Sequence, residues 1–195
     1  MKKLLITGFE PFGGESTNPS WDAVTLLPDE INGDKLTKLL VPVTFGEGAE
    51  SIIKKAEEIS PDVILSIGQA GGRGEVTPEL VGINLRHGRI PDNRGYQPND
   101  ESITEGGADA YFSTLPVRKI SEAISLSGIP SRVSYSAGAY VCNDVIYTLL
   151  SHCKDTPVRF GFIHVPYCDS QGHEPSMSMD MIVRAIKVAI ETLDN

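Results

Sequence analysis

The fold class the sequence predicts is α/β, with a mostly parallel, twisted sheet covered by helices on both faces. Two observations carry that prediction. Apolar runs of strand length alternate along the chain with amphipathic stretches of helix length, which is the pattern that crossover connections impose on parallel strands. The runs at 4–7, 63–67 and 160–165 are also mostly apolar, which fits strands covered by helices on both faces. Core strands are expected at 4–7, 36–43, 63–67 and 160–165, with a shorter one at 132–135. Helices are expected at 20–27, 46–59, 119–127, 141–152 and 178–193. With 195 residues, the span 1–195 is expected to form a single domain that needs no disulfide or metal to hold its core.

The first run, Leu4-Leu5-Ile6-Thr7, follows two lysines, but it is too short for a signal-peptide core and is cut off by Phe9-Glu10-Pro11. It is therefore a strand, and the protein is expected in the cytoplasm. Asn18-Pro19 opens the first helix with a capping side chain and a proline at the first helical position. In the second helix Ile52, Ile53, Ala56 and Ile59 recur at helical spacing and are packing residues. Residues 69–116 are rich in Gly, Pro, Asn and Asp, with one clear strand at 80–85, and long irregular segments in compact domains are usually functional. Ligands of open α/β sheets bind at the carboxyl ends of the strands. Thr7-Gly8, Gly68-Gln69 and His164-Val165-Pro166 all end predicted parallel strands, so they should converge on one crevice.

Composition narrows the function. A net charge of −9 with no Lys/Arg block argues against nucleic acid as a partner, because phosphate binding needs a basic surface. Membrane insertion is not expected, since no apolar stretch approaches the ~20 residues of a spanning helix. Three cysteines, Cys142, Cys153 and Cys168, are an odd number without C-x-x-C spacing, which fits free thiols in a reducing compartment.

Cys142 is the most informative of them. Ser136-Ala137-Gly138-Ala139-Tyr140-Val141-Cys142-Asn143 reads as a glycine turn entering a helix, and a thiol at a helix N-terminus meets unpaired N–H groups and the positive end of the dipole. Both favour the nucleophilic thiolate. The alternative is a small buried hydrophobe. His164 lies at the carboxyl end of a strand and is the candidate base; His87, His152 and His173 lie in polar loops or at a helix end, where solvated histidines are ordinary. His164, Cys168, Asp169 and His173 fall within ten residues, yet their spacing matches no familiar zinc signature, so no metal is expected. Neither Gly68-Gln69-Ala70-Gly71-Gly72-Arg73-Gly74 nor the glycines around Phe9 and Phe12 form a dinucleotide or P-loop motif, and no cofactor is expected.

Several separated segments carry a resemblance. Thr7 to Gly14 (TGFEPFGG), Gly68 to Arg73 (GQAGGR), Thr77-Pro78-Glu79, Arg89 to Asn93 (RIPDN), Tyr111 to Pro116 (YFSTLP), Ala137-Gly138, Val141-Cys142-Asn143 and Gly161 to Pro166 (GFIHVP) together resemble the pyroglutamyl-peptidase I family, also called pyrrolidone-carboxylate peptidases. The resemblance implies an open α/β/α sandwich and a cytosolic cysteine peptidase that removes N-terminal pyroglutamate, often as a tetramer. It implies Cys142 as nucleophile, His164 as base and Glu79 as the acidic third member, with Arg89 beside the oxyanion site. It also implies a lactam pocket formed by Phe9, Phe12, Asn18, Gln69, Ile90 and Val141. Two aromatic faces can sandwich a flat neutral ring while an amide reads its polar edge. Glycines flanking Phe9 and Phe12 place both on an exposed loop.

The chain departs from the family at Asn84-Leu85-Arg86-His87-Gly88-Arg89, with His87 for the usual Asp and Gly88 for Ala, so Arg89 is expected to lack a nearby carboxylate. Ser134-Tyr135-Ser136 also differs from the usual residues before the Ala-Gly turn. Two rivals are a cysteine-dependent amidase for small cyclic amides and a non-catalytic binder of pyroglutamyl peptides. Intact Glu79, Cys142 and His164 argue against the second.

Overall fold

The computed structural model describes residues 1–194 and is built on a six-stranded sheet. In chain order the elements are β1 (Lys3–Phe9), α1 (Pro19–Leu26), β2 (Glu30–Ile31), β3 (Asp34–Val41), α2 (Glu47–Ile59), β4 (Val63–Gln69), β5 (Thr77–Pro78), β6 (Val81–Ile83), β7 (Ala110–Phe112), α3 (Val117–Leu126), α4 (Val141–Cys153), β8 (Arg159–Val165), β9 (Tyr167–Cys168), β10 (Ser176–Met177) and α5 (Met179–Glu191). The sheet order is β2-β3-β1-β4-β8-β5. Strands β3, β1, β4 and β8 run parallel, and the edge strands β2 and β5 run antiparallel to their neighbours. β6 pairs with β7, and β9 with β10, outside this sheet.

Alternation along each inner strand divides the core into two layers. Leu4, Ile6, Val63, Leu65, Ile67, Ile163 and Val165 pack with α1, α3 and α5 on one face. Leu5, Phe9, Ile64, Phe160 and Phe162 pack with α2 and α4 on the other. The result is the α/β/α sandwich expected. The parity also decides the site, since His164 follows Phe160 and Phe162 at steps of two and so belongs to the α4 side. Among the described residues no helix is long and apolar enough to cross a membrane.

Most predicted elements appear within two residues of their expected ends; one of these is shifted and two others differ more, for identifiable reasons. The strand expected at 36–43 runs Asp34–Val41, because Pro42 has no N–H to extend the ladder. The expected strand at 132–135 is absent; Ser131 and Ser134 make only isolated bridges to Val76 and Glu79. That segment exposes Arg132 and Tyr135, which leaves little apolar surface for a ladder to bury. The strand expected at 80–85 shrinks to β6, held to α4 by the Asn143 side chain, which accepts from Ile83 N and donates to the Ile83 and Leu85 carbonyls.

Candidate active site

Cys142 is the second residue of α4, after a turn in which Gly138 takes a positive φ of 77°. The N-cap residue is Tyr140, whose side chain makes no capping bond and instead donates its hydroxyl to Pro91 O at 2.9 Å. The first N–H groups of α4 are thus not capped by a side chain, next to the sulfur. Asp144, one turn into the helix, is tied to Arg86 at 2.5 Å and accepts from Gly46 N at 2.8 Å. The expected thiolate is not favoured in the resting site. Burial of the sulfur and the charge of Glu79 push the Cys142 thiol up to about 12, outweighing Arg73 and the helix N–H group. The folded site thus favours the protonated thiol of Cys142.

The candidate base lies on β8. His164 is 3% exposed, and its Nδ1 lies 2.7 Å from Glu79 Oε1. Glu79 follows directly on β5, whose register against β8 sets Thr77 opposite His164, and Glu79 N donates to Phe162 O at 2.9 Å. Burial pushes the Glu79 carboxyl up, but the hydrogen bond and charge of His164, with Ser134 and Arg73, outweigh it and hold the group below the usual carboxylate range. Glu79 is thus an anion that accepts the Nδ1 proton, leaving Nε2 as the free ring nitrogen. The Phe162 ring, 4.8 Å from the imidazole, walls it from behind.

Arg73 completes this cluster. Its Nη1 donates to Glu79 Oε1 at 2.8 Å and to Thr77 Oγ1 at 2.7 Å, and its Nη2 donates to Ser136 O at 3.1 Å. One guanidinium thus joins the carboxylate to the turn before Cys142. The residue lies inside a quoted motif, yet spacing alone gave no signal for this role.

Gly68, on β4 opposite His164, lets Cys142 Sγ lie close to the sheet. A Cβ there would stand 2.6 Å from Phe162 Cζ and 3.2 Å from Cys142 Sγ, so only glycine leaves room for both.

Cys142 and His164 open onto a cleft of about 500 Å³ that Phe12, Gln69, Arg73, Arg89, Ile90 and Tyr167 help to line. A narrow apolar hollow next to it is lined by Phe9, Phe12, Asn18, Val43, Gln69, Tyr140, Val141 and Cys142. All of the expected pocket residues therefore gather around the thiol, while Glu79 stands behind His164. Phe9 departs from the exposed loop expected for it: it ends β1, buried, with its ring 6.0 Å from Phe162. Phe12 is half-buried, 6.2 Å from the Tyr140 ring. The Asn18 side chain caps α1 through Ser20 and donates to Glu10 O at 2.9 Å. His87 and His173 are not simply solvated: they pair with Asp100 at 3.0 Å and Glu15 at 2.7 Å. His164, Cys168, Asp169 and His173 point to different partners, and no group of three or more His, Cys, Asp or Glu side chains among the described residues could hold a metal ion.

The sequence profile described as pyroglutamyl peptidase matches residues 2–195. The chain belongs to the pyroglutamyl peptidase family. It is 47% identical over 195 residues to the pyrrolidone-carboxylate peptidase of Lactobacillus helveticus, covering 97% of this chain and 98% of that one. It is 48% identical over 195 residues to the pyrrolidone-carboxylate peptidase of Thermococcus onnurineus, with the same coverage. Among solved structures, pyroglutamyl peptidase I of Bacillus amyloliquefaciens superposes with a TM-score of 0.95 at 43% identity, over 98% of this chain and 94% of that chain. Pyrrolidone carboxyl peptidase of Thermococcus litoralis gives 0.94 at 38% identity, over 99% and 93%. The protein is an enzyme, a peptidase of the pyroglutamyl class.

Against this family the departures at 87–89 acquire a structural reading. A Cβ at Gly88 would stand 2.9 Å from Ile90 O and 3.3 Å from Gln97 Cγ, so the glycine permits a close backbone approach. Arg89 is exposed, lines the cleft and has no ion pair among the described residues. In Ser134-Tyr135-Ser136, the Ser134 hydroxyl donates to Ser136 O, the same carbonyl that Arg73 holds.

Proposed function

We propose that the protein is a cysteine exopeptidase, one catalytic domain over residues 1–195, which hydrolyses the bond after an N-terminal L-pyroglutamyl residue through Cys142, His164 and Glu79. The observation that carries the reading is the Glu79-bound His164 opening onto the same cleft as Cys142. Names of the relatives supply the substrate class.

His164 Nε2 takes the thiol proton as Cys142 Sγ attacks the pyroglutamyl carbonyl carbon, and the carbonyl electron pair moves onto oxygen. The N–H groups at the start of α4, with Arg89 at the cleft, stabilise that oxyanion. Collapse breaks the C–N bond, and the amine leaves with the proton from His164. The thioester is then attacked by water, which gives its proton to His164; the C–S bond breaks, His164 returns the proton to Cys142 Sγ and pyroglutamate departs. Glu79 keeps the imidazole in the productive tautomer throughout. The chemistry uses no cofactor.

Phe9, Phe12 and Val141 are the apolar faces for the ring, with Ile90 at the mouth, while Gln69 and Asn18 supply polar atoms at its edge. Prolyl substrates bring a ring ammonium and lack the ring carbonyl, so they leave such atoms unpaired. A site built to bond a group rejects the analogue lacking it by on the order of 10⁴-fold. The test is release of a chromogenic amine from a pyroglutamyl amide, with and without iodoacetamide, beside the matching prolyl amide. Iodoacetamide-sensitive cleavage with at least about a thousandfold preference for pyroglutamyl supports the reading. Comparable specificity constants would remove it.

The same proposal places the enzyme in the cytoplasm, which the free state of Cys142, Cys153 and Cys168 supports. It also includes a homo-oligomer, a tetramer by family resemblance. Exposed Phe112 and Tyr135, on segments that flank Leu80 through its backbone hydrogen bonds, offer an apolar surface for it.

A further inference from the structure

Gln171 lies just beyond β9, and its side-chain amide is fixed in orientation. The backbone N–H of Cys168 donates to Gln171 Oε1 at 2.9 Å. A backbone N–H can only donate, so the oxygen of the amide must be the atom that faces it. Nε2 is then turned the other way, where it donates to Gln69 Oε1 at 3.0 Å and to Glu15 Oε2 at 3.3 Å. The Glu15 carboxylate accepts only and demands the same orientation. His173 Nε2, 2.7 Å from Glu15 Oε1, holds that carboxylate in place.

This chain of contacts settles the orientation of a second amide. Gln69 is 7% exposed and lines both the cleft and the apolar hollow beside Cys142. Its oxygen is taken by Gln171, while its Nε2 donates to no protein acceptor among the described residues. The group Gln69 has left to offer a bound ring is therefore an N–H donor.

We infer that Gln171 is a positioning residue for substrate recognition: it relays the direction of the Cys168 N–H to Gln69, so that the Gln69 amide offers a donor to the ring carbonyl of the substrate and thereby sets the preference for a carbonyl-bearing ring. The inference rests on the pyroglutamyl reading proposed above and adds to it a residue outside the expected pocket. Gln171 touches no reacting atom, so its loss acts on binding and selectivity and leaves the thiol and imidazole unchanged.

Gln171→Glu is the decisive variant, being nearly the same shape. The new carboxylate still accepts from Cys168 N, but its second oxygen meets both Gln69 Oε1 and the Glu15 carboxylate with no proton between them. Gln69 then turns its Nε2 toward position 171 and leaves its oxygen toward the cavity. The expected result is a rise in KM for a pyroglutamyl amide of about tenfold or more, with kcat within about threefold of the unmodified protein. The preference for pyroglutamyl over prolyl amides should fall by about tenfold or more as well. Gln171→Met, which removes the relay without reversing it, should raise KM less, and thermal unfolding of both variants checks that they fold. Unchanged KM and selectivity in Gln171→Glu would overturn the inference, as would a loss confined to kcat. If Gln171→Glu does not fold, Gln171→Met decides, with unchanged KM counting against. Cleavage of the pyroglutamyl amide by the unmodified protein tests the functional reading separately, since this inference is read from ratios between variants.

Discussion

His164 Nδ1 and Glu79 Oε1 lie 2.7 Å apart, and the same carboxylate oxygen accepts from Arg73 Nη1 at 2.8 Å. The pairing is asymmetric, since Glu79 Oε2 is buried without a hydrogen-bond partner among the described residues. Glu79→Gln keeps the shape but presents either an amide oxygen without charge or an NH₂ group that would stabilise the wrong imidazole tautomer. The expected loss in kcat is up to about 10⁴-fold, with a smaller change in KM. His164→Ala should be at least as impaired. Steady-state kinetics on a pyroglutamyl amide checks both, and near-normal kcat in Glu79→Gln would show that the pair does not act in turnover.

The three thiols separate cleanly. Cys142→Ala should abolish turnover in a folded protein, because it alone lines the cleft beside His164. Cys153 and Cys168 are buried in opposite layers of the core, so Cys153→Ala and Cys168→Ala should keep most activity at a cost of about 0.5–3 kcal/mol in stability. Parallel assays and denaturant melts distinguish the two classes of effect.

The raised thiol gives a pH dependence with a definite sign. Its ordinary value is 9.0 and the folded site holds it at about 12, so the unfolded chain ionises first as pH rises. The contribution to stability is fully present below pH 9.0 and is lost as pH climbs toward about 12. Cys142→Ala should flatten that alkaline loss in urea unfolding. Glu79 works in the opposite direction: its lowered carboxyl contributes stability above the ordinary carboxylate range, lost as pH falls through the folded value. In the absence of substrate, the rate of Cys142 alkylation by iodoacetamide should keep climbing between about pH 7 and about pH 10. A rate that is flat over this interval would indicate a preformed thiolate.

Gly68→Ala places a methyl group 2.6 Å from Phe162 Cζ and 3.2 Å from Cys142 Sγ. Phe162 cannot swing aside, since it is packed between Phe9 and His164. The expected outcome is a stability loss of about 1–3 kcal/mol and a kcat loss of about tenfold or more, because sulfur and imidazole both shift. Melting and kinetics on one preparation check the two numbers together.

The strands at 4–7, 63–67 and 160–165 were legible because each is a mostly apolar run buried on both faces. β5 was not, since it is two residues long and contains Pro78. The same difference divides the site. Cys142 and His164 announce themselves by local context, a glycine turn into a helix and the end of an apolar strand. Glu79 and Arg73 reach His164 and the turn before Cys142 only through the antiparallel register of β5 on β8, a tertiary fact with no local pattern, and the proposed role of Glu79 was reached through family resemblance. The raised thiol was missed for a related reason: helix position is local, while enclosure of the sulfur and the nearness of Glu79 are properties of the folded protein.

β8 is joined to β4 through seven paired residues but to β5 through two. The contact between Glu79 and His164 thus spans a seam of only two paired residues at the sheet margin. Short pairings open at lower free energy than the centre of a fold. On prolonged heating the seam should part, and the imidazole lose its anchor, while the helices and the parallel centre still give a native spectrum. The shelf life of this catalyst is set by two rungs at the sheet margin rather than by the bulk of its hydrophobic core.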